Sequence, residues 1–178
     1  MTISMVIIFL IKHYLLEAFL FPRFYRRVYN SMDDGLKRGF LNHHIAAGTK
    51  LVLLIVGAKP WLDVLFRRAT LTTPMGRGEH PTMGDILIVL TQLYVAMYLF
   101  ELFFRRTLSY VAVLHHVGAV VIAETAVVLS LDLAHERDAT VEFVLCLVWG
   151  RATTSSTVLL NLLIITFQVH SMFSPSSG

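Results

Sequence analysis

The stretch Glu101–Glu124, ELFFRRTLSYVAVLHHVGAVVIAE, sets two adjacent histidines and two carboxylates into an almost unbroken apolar run. Inside a water-soluble domain this would be a core helix, and its histidines would be satisfied core residues. Inside lipid, an ionisable side chain is costly enough to mark function by default. The reading of the whole chain therefore turns on which solvent surrounds this run.

Composition answers that question. Of 178 residues 56% are hydrophobic and 15% charged, and the mean hydropathy is +0.67, too apolar for an ordinary soluble domain. The fold class expected is all-α, a polytopic transmembrane helix bundle of about five spanning helices, since each crossing takes roughly 20 residues. The net charge is +3, but the basic residues form short runs beside apolar segments, as in RRVY and FFRR. Membrane proteins place cations there, against headgroups, so nucleic-acid binding is not expected. Cys146 is the single cysteine and excludes an intrachain disulfide.

The apolar segments divide the chain. The first runs from Ile3 to Phe21, carries Lys12, His13 and Glu17, and is stopped by Pro22. With no basic leader and no small-residue cleavage site, it reads as a retained helix. A polar loop with a DDG turn signal follows. The second segment runs from His43 to Phe66, interrupted at Lys59 and Pro60. A Gly-, Pro- and Thr-rich loop leads to a third, Gly84 to Phe104, with Asp85 placed for its N-terminus. The fourth spans Val111 to Leu131. The fifth region, ATVEFVLCLVWG and then VLLNLLIITF, reads as one broken or shifted helix. These segments suggest an N-terminal helix with a basic loop over 1–42, a transmembrane domain over 43–170 and a disordered tail over 171–178.

The first loop holds five Lys or Arg and the third two, against three in the second and one in the fourth. The positive-inside bias then puts the first and third loops in the cytosol. On that topology Glu101, His115, His116, His43 and His44 share one membrane depth. Tyr94, Tyr98 and Glu101, spaced by four and three, line one helical face. His115 and His116, about 100° apart, would flank one pocket. Glu124 lies deeper, nearer His116 in helical phase. Asp138 and Glu142 follow at i, i+4, but Glu142 starts from the opposite side of the membrane. His43 and His44 also suit the interface, where amphipathic rings are comfortable.

Other chemistries fit less well. The chain has eight histidines, but none follows the HxxxH or HxxHH spacing of membrane di-iron enzymes, so no metal is expected. No GxSxG occurs, and Cys146 has no adjacent base.

Tyr98, Glu101, then His115-His116 in an apolar helix, followed by the acidic start DATVEF, resembles the TLC domain of ceramide synthases and translocating-chain-associating membrane proteins. The resemblance covers roughly residues 39–149. It implies a lipid-associated protein of an internal membrane such as the endoplasmic reticulum, with membrane lipids as partners and a homo-oligomer as its assembly. In the ceramide synthases the paired histidines and acids are taken to carry N-acylation of a sphingoid amine. Carried over, His115 and His116 take the paired positions, Glu101 the upstream acid, and Asp138 and Glu142 the downstream acids. Tyr94, Tyr98, Glu124, His43 and His44 would contact substrate. No cofactor is implied, acyl-CoA being a co-substrate. The chain departs from the synthases in having Glu101 where they usually have Asp, and in lacking the polar pattern after the paired histidines. Binding, sensing, trafficking or homeostasis of lipids is therefore the first expectation and acyltransfer the second. A proton-coupled transporter using Glu124 and the His pair is a third, without the broken paired helices such folds show.

Overall fold

The computed structural model describes residues 1–67, 69–78, 81–105, 108–130 and 163–166, with the side chain of residue 65 left aside. Every regular element among the described residues is helical, in keeping with the expected all-α bundle. Among the described residues four helices are long and apolar enough to cross a membrane: Thr2–Phe24, Asp34–Val64, Met83–Phe104 and Tyr110–Ser130. The expected fifth region falls outside the described residues except for 163–166.

The first span is built from α1 (Thr2–Leu10), a π-helical segment (Ile11–Leu20) and α2 (Phe21–Phe24). A π-helix brings residues five apart onto one side, and this is how the chain accommodates the charges inside the segment. Lys12 reaches Glu17 at 3.1 Å, His13 lies 3.5 Å from the same Glu17 oxygen, and the Lys12 ammonium sits 4.9 Å from the Phe104 ring centroid. Pro22 does not stop the helix as expected. It stands where the π-helical segment passes into α2, with Leu20 and Phe21 both helical, and the helix runs on to Phe24.

The polar loop expected over 22–42 is largely helical as well. A break at Tyr25, with φ −116° and ψ 20°, precedes α3 (Arg26–Ser31). The DDG signal marks a helix start rather than a turn: Asp33 is extended, and its carboxylate accepts from the Leu36 N–H at 2.8 Å, capping α4 (Asp34–Phe66). The second helix thus begins nine residues before the expected His43 and runs without a break across the 42/43 boundary drawn from sequence. It also continues through Pro60, which is fully buried. There the ring removes one intrahelical hydrogen bond, and packing of the surrounding helix holds the turn.

The loop from α4 to α5 (Met83–Phe104) is tied down at both ends. Asp63 binds Lys59 at 3.0 Å and Arg67 at 3.3 Å, while its carbonyl accepts from the Ala69 N–H. Thr82 and Asp85 form a reciprocal capping box at the start of α5, the role expected for Asp85. Leu71 is buried against Met83, Leu87 and Val64, and its carbonyl accepts from Gly84 N–H at 2.7 Å. A Cβ on Gly84 would meet that carbonyl oxygen at 2.8 Å. Gly84→Ala is accordingly expected to lower stability in detergent micelles by about 1–3 kcal/mol. Gly118→Ala, in α6 with nothing within 4 Å, should leave the melting temperature level or raise it. Equal melting of the two variants would contradict this account of the loop.

Helix α6 (Tyr110–Ser130) buries His116, Ala119, Ala123, Ala126 and Ser130. Steps of three and four put these on one stripe, and its small residues let α6 approach closely, as helices in lipid require. Two cross-contacts set the register with α5: Glu101 meets His116 and Gln92 meets Glu124, so the helices run antiparallel. Helix α4 is likewise antiparallel to α5. A Cβ on Gly57 would lie 3.2 Å from Leu90, and the Arg38 guanidinium is 5.7 Å from the Phe104 ring centroid. One core joins Ile8, Phe21, Phe40, Ile45, Ala96, Met97, Phe100 and Ala119, drawing on both sides of residue 42.

Candidate polar site between the helices

The carboxylate of Glu101 organises a polar cluster near the C-terminal end of α5. Its Oε1 accepts from Arg105 Nη1 at 3.1 Å, one helical turn on. Its Oε2 lies 3.1 Å from His116 Nε2. That contact runs off the ring N–H direction, so it is a short electrostatic contact rather than an aligned hydrogen bond, and both His116 nitrogens are enclosed without a hydrogen-bond partner among the described residues. Glu101 and His116 are each almost fully shielded, their side chains 14% and 10% exposed. That shielding makes their mutual charge interaction far stronger than at a wet surface.

Aromatic rings wall the pair. The Tyr98 ring lies 4.7 Å from His116 and 6.0 Å from His115, centroid to centroid. Tyr94 donates its hydroxyl to that of Tyr98 at 3.4 Å. The four-and-three spacing read from sequence therefore does put Tyr94, Tyr98 and Glu101 together. The paired histidines do not flank one pocket as expected: their 100° offset buries His116 against Glu101 and leaves His115 exposed on the outer surface of α6.

Other candidates go elsewhere. Glu124 is held by Gln92, whose Nε2 donates to both carboxylate oxygens at 3.1 and 3.3 Å. Gln92 and Glu101 are nine residues apart, or two and a half turns, so they lie on opposite flanks of α5. Glu124 is thereby separated from His116 by about 12 Å along α6, and the two polar pairs clasp the α5–α6 interface from either side. His44 joins an aromatic cluster. Its Nδ1 donates to the Phe40 carbonyl at 2.9 Å, and its ring packs on Phe21, Tyr25 and Phe40. His43 is half-buried on the neighbouring face. Asp138 and Glu142 lie outside the described residues. Among the described residues no three His, Cys, Asp or Glu side chains gather in a metal-binding group.

Lys50 is the residue that sequence reading missed. It lies on α4 at four-residue steps from Asn42 and Ala46, both buried, and is itself 6% exposed. The charge that reaches its ammonium is that of Glu101. From the Gly57–Leu90 contact, antiparallel register puts Lys50 opposite Met97, one turn from Glu101. The available signal was a lone lysine inside the apolar stretch GTKLVLLIV; with α4 taken to start at His43, nothing showed which face it occupied. Arg105 was likewise counted with the loop, and only the structure returns it to Glu101. Compared with protein-family models, with curated proteins and with solved structures, the chain matches none of them.

Proposed function

We propose that this is a multi-span membrane protein, organised like a TLC domain, that binds lipid at the Glu101 cluster and serves lipid sensing, trafficking or homeostasis in an internal membrane such as the endoplasmic reticulum. The observation that carries this reading is the enclosed Glu101–His116 contact of 3.1 Å, flanked by Arg105 and the two tyrosines, between apolar helices. Polar groups at such a position match an amphiphile whose headgroup needs hydrogen bonds and whose tails need apolar helix faces. Exposed Leu114, Val117 and Val121 on α6 supply such a face beside His115. Binding fits the geometry better than turnover, because a general base must present its nitrogen to the substrate and both nitrogens of His116 are enclosed.

The test is lipid profiling of the purified protein and of cells that lack it. Wild type should retain a specific lipid class through purification, and the Glu101→Gln/His116→Gln double variant should lose at least tenfold of it while remaining monodisperse. Equal retention by both would end the reading.

Acyl transfer is the second reading, and the pairing of a carboxylate with an imidazole at 3.1 Å, the two residue types such catalysis uses, favours it. It requires acyl-CoA as co-substrate and an opening of the cluster. A sphingoid-amine product that forms with wild type and vanishes in His116→Ala would promote it over binding.

A further inference from the structure

Lys50 is a cation within a membrane-crossing helix and only 6% exposed. An ammonium in such a place persists when an anion or a set of acceptors compensates it. Among the described residues no oxygen forms a hydrogen bond or an ion pair with its Nζ; Glu101 acts on it only through space. The direct contacts of Glu101 go to Arg105 through Oε1 and to His116 through Oε2, not to Lys50. One carboxylate thus stands near two basic side chains, Lys50 and Arg105, together with an imidazole. Lys50 is the basic group of this cluster that no described oxygen contacts directly.

We infer that Lys50 receives the anionic oxygens of an amphiphile's headgroup, a carboxylate or a phosphate, an assignment that rests on the lipid-binding reading and specifies its ligand. The helix surface next to Lys50 carries exposed Leu51, Val52, Ile55 and Val56, which suits a hydrocarbon tail running from the headgroup along α4. A free inorganic anion would gain nothing from that surface and would have to leave water to reach Lys50. The Tyr98 hydroxyl, about one turn before Glu101 on the facing helix, accepts from Tyr94 and adds a donor of the kind a headgroup oxygen accepts.

Equilibrium binding to the purified chain in phosphatidylcholine nanodiscs tests this with three probes of one tail length: oleate, oleyl phosphate and oleyl alcohol. Wild type should bind both anions at least tenfold more tightly than the alcohol. Lys50→Gln should abolish that preference, Lys50→Arg should keep it, and Lys37→Gln, which removes a cation near the start of the same helix, should not affect it. Persistence of the preference in Lys50→Gln, or its loss in Lys37→Gln, would overturn the assignment. If oleate and the alcohol bind wild type equally, lipid binding stands and the role of Lys50 falls; if none of the probes binds, both fall. Competition by acetate or inorganic phosphate as strong as that by oleate would overturn the amphiphile and make this a site for free anions. Should Lys50→Gln not fold, a diazirine-bearing oleate decides on wild type: labelling must map to α4 around Lys50 or α5 around Tyr98, and labelling elsewhere overturns the proposal.

Discussion

Glu101→Ala is expected to destabilise the protein by about 3–5 kcal/mol, the cost of removing one partner from a buried ionic cluster. The loss is large because the carboxylate serves several groups at once: Arg105 through one oxygen, His116 through the other, and Lys50 through space. Truncation leaves the Arg105 guanidinium and the buried Lys50 side chain without the anion that acts on both. Glu101→Gln keeps the shape and one acceptor oxygen, so it should cost less than Ala while still losing the charge. His116→Ala alone should cost less again, and the double variant Glu101→Ala/His116→Ala should fall short of the sum of the singles, since both remove one shared contact. Thermal unfolding in detergent micelles, at matched protein-to-detergent ratio, measures all four. A Glu101→Ala loss within about 0.5 kcal/mol, the range of ordinary surface substitutions, would show that the cluster does not hold the helices together.

The second large effect is expected far from that carboxylate. Phe21 is 0% exposed, and its ring centroid lies 4.9 Å from Tyr29, 5.3 Å from Phe40, 5.1 Å from His44 and 6.0 Å from Tyr25. These rings bind the end of the first span to the start of α4. Phe21→Ala would open a cavity lined by aromatic rings, at an expected cost of about 3–5 kcal/mol. Phe19, two residues away and 56% exposed, is the control: Phe19→Ala should change stability little. Because α1 and the π-helical segment reach the rest of the bundle partly through this cluster, limited proteolysis of Phe21→Ala should release the N-terminal helix before the other helices are cut. Simultaneous loss of all fragments would place the cluster in the common core rather than at a hinge of this kind.

Much of the bundle was legible without coordinates. The third and fourth spans, expected at 84–104 and 111–131, are found at Met83–Phe104 and Tyr110–Ser130. Uninterrupted apolar runs of about 20 residues have few alternatives in lipid, where backbone groups must satisfy one another within the helix. The capping role of Asp85 and the common face of Tyr94, Tyr98 and Glu101 were equally accessible, because both depend on local spacing along one helix. Pro22, Pro60 and the DDG motif misled for the opposite reason. Each is a local signal, and tertiary packing or position within a helical turn overrode it.

Composition and apolar periodicity by themselves determined that the chain forms membrane-crossing helices and which residues share a helical face, since both follow from local geometry and the cost of exposing backbone to lipid. Only the tertiary structure decided which faces meet. It paired Lys12 with Glu17 through a π-helical register, turned His116 inward and His115 outward, gave Glu124 to Gln92, and brought Lys50 toward Glu101 from a helix about 50 residues earlier in the chain. Contacts between helices depend on rotation and register, and in a chain whose helices are apolar nearly all round, hydropathy alone leaves both undetermined.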